Sequence, residues 1–175
     1  MNMIITYLYY IIFLIQISSR IIKNGGCLNM GRDANDVAKY IINKCTIDEC
    51  AVSDLQLQKI LYFIQLNFIR QFNYLAFDNP LIAKQYGPIV RSVYETYKVY
   101  GASPIMLFFK GTEKMFNKEE RIVADWVIET CRERNPWELV EKSHIKGGPW
   151  DRTEIDSEIP KELLVDYALN GVSEG

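Results

Sequence analysis

Apolar residues recur at helical spacing through most of the chain that follows Met30. Asp33 to Lys44 sets Ala34, Val37, Ala38 and Ile41 on one side, which predicts a short first helix. Ser53-Asp54-Leu55-Gln56 has the form of a capping box, where the Ser hydroxyl and the Gln side chain each satisfy a free backbone N–H at a helix start. The helix it opens should run to about Gln71, with Leu57, Ile60, Leu61, Ile64 and Phe68 on one face and Leu55, Phe63, Leu66 and Ile69 around the rest of the cylinder. A helix apolar on nearly every side belongs at the centre of a fold.

Weaker signals follow. Asp78-Asn79-Pro80 predicts a turn, and Leu81 to Tyr86 a short extended segment. Pro88 suits the first turn of a helix carrying Val90, Val93, Tyr94 and Tyr97 and closed by Tyr100-Gly101. Pro104 to Phe109 is an apolar run that reads equally as a buried strand or a core-crossing loop. Asn117 with Glu120 forms a second capping box, before a helix to about Asn135 whose face is marked by Ile122, Val123, Trp126, Val127 and Thr130. Asn135-Pro136-Trp137-Glu138 opens a short helix, and Pro160 to Leu169 forms a last one, stopped by Asn170-Gly171. The sum is a mainly α fold: a single multi-helix domain around a central buried helix, with room for one short strand pair.

The first 29 residues are different. They hold Arg20 and Lys23 and no acid, and Met3 to Ile17 is almost wholly apolar. That run is shorter than the roughly 20 residues of a spanning helix, and its charges follow rather than precede it, unlike a secretory signal. Gly25-Gly26 can be encoded by a purine-rich stretch of ribosome-binding type just ahead of Met30. The expectation is therefore that residues 1–29 lie upstream of the true start, that 30–175 form the domain, and that contact with a membrane arises only if the first segment is translated. In either case the domain is expected in the cytoplasm.

Composition narrows the chemistry. Twenty Lys plus Arg against 22 Asp plus Glu leave a net charge of -2, so no basic field draws in nucleic acid. Seven basic residues against four acidic ones between Lys84 and Arg121 read as a solvated surface, since no DNA-binding motif accompanies them. One histidine, His144, and four scattered cysteines supply no metal-ligand set, and no cofactor motif is present. Cys45 and Cys50 read as reduced packing residues. A Cys-His nucleophilic pair lacks every supporting motif.

The informative residues are spread out. Gln58, Tyr62 and Gln65 make a polar line on the central helix with Lys59 beside it, and buried polar groups need partners. Tyr86, Gly87 and Pro88 form a turn, while His144 and Trp150 bracket a late loop rich in glycine. Together Gln58, Lys59, Tyr62, Tyr86, Gly87, Pro88, His144 and Trp150 are expected to build one polar and aromatic cluster. It serves as a buried network that locks the fold, as a partner-binding surface, or as both.

Four segments taken in order, ANDVAKYII (34–42), LQLQKILYFIQ (55–65), YGPIVRSVYETYKVYG (86–101) and SHIKGGPW (143–150), resemble the SocA-like Panacea domain. That family includes bacterial and phage antitoxins and phage-associated proteins once called GepA. The resemblance implies a mainly helical antitoxin of a type II toxin-antitoxin system, not an enzyme, that neutralises by protein-protein binding a cognate toxin encoded by a neighbouring gene. It further implies, as one route, delivery of the toxin to the ClpXP protease. The alternatives are a phage-encoded module that binds a host protein and an enzyme using His144 as acid or base.

Overall fold

The computed structural model describes residues 28–29 and 31–172. The expectations placed on residues 1–29 fall outside the described residues, apart from the backbone of Leu28 and Asn29. Six helices are described: α1 (Ala34–Ile47), α2 (Asp54–Phe72), α3 (Arg91–Tyr97), α4 (Lys118–Arg132), α5 (Pro136–Ser143) and α6 (Lys161–Asn170). Among the described residues none is long and apolar enough to cross a membrane.

α2 is the axis of the fold. It packs against α1, α4, α5 and α6, and Leu57, Ile60, Leu61, Ile64, Phe68 and Ile69 are all fully buried. Its start is set by the Ser53–Gln56 capping box, and its end by Asn73, whose left-handed backbone stops the helix while its N–H bonds to Ile69. α1 packs on it and buries Ala34, Val37, Ala38 and Ile41, the side the spacing predicts. α4, opened by the Asn117–Glu120 box, departs from expectation in its rotation. Val123, Ala124, Val127, Ile128 and Cys131 face the core, whereas Ile122 and Trp126 are exposed. Val123 and Val127 are buried as the pattern expects, while Ala124, Ile128 and Cys131 complete the buried face in place of Ile122 and Trp126.

Two strand pairs complete the architecture. β1 (Leu28–Asn29) runs parallel to β2 (Tyr74–Leu75). β3 (Leu81–Lys84) pairs antiparallel with β4 (Gly87–Val90) across a turn formed by Gln85 and Tyr86. The strand pair allowed for in the sequence is therefore present, but Pro88 lies within β4 rather than in the first turn of a helix, and α3 begins only at Arg91. Pro104 to Phe109 takes the loop alternative. Its backbone is held by Asn43, which both donates to and accepts from Phe109, and by the Ile105 N–H to the Val52 carbonyl, so no ladder is needed.

A separate buried acid ties the start of the described chain to α4. Glu120 accepts from the Arg32 guanidinium at 2.6 Å and the Tyr74 hydroxyl at 2.8 Å, and from the Asn117 N–H at 2.9 Å.

Candidate functional site

The β3–β4 hairpin is built into the domain through both of its outer edges. In an antiparallel pair every second residue turns its N–H and C=O away from its partner strand. On the β3 side, Ala83 and Leu81 meet the 156–159 segment, with Ala83 N–H to Ser157 O at 2.9 Å and Ile159 N–H to Leu81 O at 2.8 Å. On the β4 side, the partners are side chains of α2. Lys59 Nζ donates to Pro88 O at 2.9 Å, and Gln58 Oε1 accepts from Val90 N–H at 3.0 Å. Pro88 has no N–H to leave orphaned there, which explains why a proline suits this strand edge.

Lys59 has none of its surface exposed. Burial pulls its ammonium down to about 7, against the opposing pull of Asp54. Gly87 leaves the space it needs: a Cβ there would lie 2.4 Å from Ser143 Oγ and 2.9 Å from Lys59 Nζ, at a φ of +94°. Ser143 is itself engaged, donating to Val140 O at 2.8 Å. His144, which caps α5, stacks on Trp150 with ring centroids 3.6 Å apart, and Trp150 Nε1 donates to Lys84 O at 2.8 Å. Burial and then the Lys59 charge hold His144 below its usual value. The structure thus brings Gln58, Lys59, Gly87 and Pro88 into one buried cluster, with the His144–Trp150 stack behind the hairpin.

Two of the expected residues lie elsewhere. Tyr62 is buried one turn further along α2, with its ring 5.3 Å from Phe63 and its phenol pushed up by burial and then by Tyr167 of α6. The polar line it was assigned to divides by partner, since Gln65 binds the backbone of Ala76 and Phe77 while Gln58 binds Asp54 and Val90. Tyr86 is at the hairpin tip, 51% exposed, edge-on to Trp137 at 5.5 Å.

Tyr86 and Trp137 stand at one side of an open groove of about 890 Å³. Its lining includes Gln58, Gly87, Tyr94 and Pro104, with Asp54 among the buried residues and Lys84 and Lys98 among the charged ones. Neither Lys59 nor His144 reaches it, and the His144 Nε2 is buried without a partner. Cys45 and Cys131 are also buried, their thiols pushed up by burial to about 12 and about 11. Among the described residues no group of His, Cys, Asp or Glu converges as a metal site. Sequence reasoning passed over Asp54, Tyr94 and Trp137. The signal available was Trp137 at the second position of a short helix whose buried face is carried by Leu139, Val140 and Ser143.

Fold and groove together define a mainly helical domain with an aromatic-rimmed recess beside a pinned hairpin. The family description "Antitoxin SocA-like, Panacea domain" matches residues 57–151, more than half of the chain. The chain belongs to the SocA-like Panacea antitoxin domain family. It is also similar to Antitoxin SocA of Caulobacter vibrioides strain NA1000 / CB15N, at 26% identity over 131 residues covering 68% of this chain and 69% of that protein. No solved structure matches.

Proposed function

We propose that this domain is a cytoplasmic antitoxin that binds and neutralises a cognate toxin encoded by a neighbouring gene, using the groove between the hairpin and α5. Family membership and the likeness to Antitoxin SocA support an antitoxin role. The single observation that carries the choice of surface is the exposed pair at its edge: Trp137, 56% exposed, against Tyr86. Monomeric proteins rarely leave large aromatic side chains together in solvent without a binding role, and Tyr and Trp dominate the energetics of protein interfaces. Binding alone blocks the toxin, and delivery of the bound toxin to ClpXP is the finer form of the same reading.

Induction of the neighbouring open reading frame, with and without this chain, tests the proposal. Growth arrest relieved only by this chain, with loss of relief on Tyr86→Ala and Trp137→Ala, is the expected result. Arrest without relief by the full chain overturns the antitoxin reading. Relief that persists in cells lacking ClpX removes the proteolytic form and leaves inhibition by binding.

A further inference from the structure

The charges that line the groove are unequal in how they are neutralised. Lys84 is paired with Asp156, and Lys98 with Glu95. The lining carboxylate is Asp54, in the first turn of α2, and only 7% of its surface is exposed. Oδ1 accepts from Gln58 Nε2 at 3.1 Å, and no described cation forms an ion pair with this carboxylate. The nearby Lys59 directs its hydrogen bond to Pro88 instead. Burial of this acid outweighs the offsets from the Gln58 hydrogen bond and the Lys59 charge, so the carboxylate is incompletely compensated and favours a further cation.

The rim supplies the other half of the chemistry. Aromatic faces attract cations, and the groove wall already shows this, with Lys98 Nζ 5.8 Å from the Tyr94 ring centroid. Tyr86 and Trp137 meet edge to face, and each is more than half exposed, so aromatic surface is accessible at the rim. A guanidinium is planar, stacks on such faces and gives directed hydrogen bonds to a carboxylate, which an ammonium does less well.

We infer that the groove is a receptor for an arginine side chain of the protein partner, seated between the Tyr86–Trp137 rim and the Asp54 carboxylate. This rests on the proposed antitoxin reading for the existence of a partner, and it adds the chemistry by which that partner is recognised. Burial holds the Asp54 carboxyl above its usual value in the free protein, so an incoming cation stabilises its ionised form.

The test uses the full chain and two probes, N-acetyl-arginine amide and its uncharged isostere N-acetyl-citrulline amide, followed through the indole N–H resonance of Trp137. Saturable binding of the arginine probe with a Kd on the order of 1–10 mM is expected, at least about tenfold tighter than the citrulline probe. Asp54→Asn should weaken the arginine probe by about tenfold and leave the citrulline probe unchanged. Trp137→Ala, at an exposed position, should abolish a response read at neighbouring backbone amides. Equal binding of the two probes, an arginine affinity unaffected by Asp54→Asn, or no saturable response overturns the inference. Should Asp54→Asn fail to fold, the arginine-to-citrulline ratio and the Trp137→Ala result decide the matter alone. Growth relief by the unaltered chain together with a failed arginine titration removes this inference and leaves the antitoxin reading intact.

Discussion

Lys59 on the central helix and Pro88 on the hairpin are joined by a single hydrogen bond of 2.9 Å, made where the lysine has no contact with solvent. The bond does for the outer edge of β4 what a third strand does in a sheet. It also fixes the distance between α2 and the turn that carries Tyr86, so a buried polar contact sets where an exposed aromatic ring stands.

The same burial makes stability depend on pH. The folded Lys59 value of about 7 lies below its ordinary value, so the unfolded chain binds more protons across the interval between the two. Stability therefore rises with pH from about 7 to about 9, by at most about 1.4 kcal/mol per pH unit. Below that interval the lysine is charged in both states and contributes no slope. Urea melts of the full chain across this range should show the rise, and Lys59→Met should flatten it.

Gly87→Ala tests the packing of the hairpin against α5. Its Cβ would meet Ser143 Oγ, which is committed to Val140 O, and the buried Lys59 amine, which is committed to Pro88 O, at a φ that L side chains avoid. The expected loss is about 2 to 4 kcal/mol, visible as a lower urea midpoint with the helical circular dichroism of the folded state retained.

Tyr86→Ala and Trp137→Ala remove exposed rings and should change stability by no more than about 1 kcal/mol. Each should weaken toxin binding by about 30-fold or more, the size of an interface hot spot. Thermal melts paired with titration of the purified toxin separate the two effects. Equal loss of folding and binding would mean that the pair is structural.

Glu120→Ala breaks a buried ion pair and leaves the Arg32 guanidinium, whose Nη1 already lacks a partner, without its carboxylate. The expected cost is about 3 to 5 kcal/mol. Glu120→Gln, which keeps one of the two acceptor oxygens and so serves either Tyr74 or the Asn117 N–H, should cost less. Denaturant unfolding of the two variants checks the order.

The helices were legible in the chain because what starts and stops them is local. Ser53 with Gln56, Asn117 with Glu120, and Asn135 before Pro136 each act within one turn, and each lies where the sequence pattern puts it. The apolar residues on nearly every side of α2 likewise mark it as central, since such a helix is stable only when most of its surface is covered. The motifs that carry the family resemblance are local strings as well, and the family match takes in two of the four whole and the third from Leu57 onward.

The site was legible only in part. Gln58 and Lys59 announce themselves as polar residues on a buried helix, but their partners, Val90 and Pro88, are backbone groups about 30 residues away that no side-chain pattern marks. Pro88 fits a helix start and a strand edge equally well by its own geometry, and the lysine opposite decides for the strand. Tyr62 shares a helical line with Gln58 but is buried a turn away from it, and Trp126 and Ile122 face outward while Ala124, Ile128 and Cys131 turn to the core. Local patterns in the chain were enough to place the helices, except for the start of α3, and to mark the buried axis and the family resemblance. Tertiary structure alone decided which polar atoms meet and which aromatic rings are left at the groove, because both follow from the relative placement of α2, α5 and the hairpin, set by packing between segments distant in the chain.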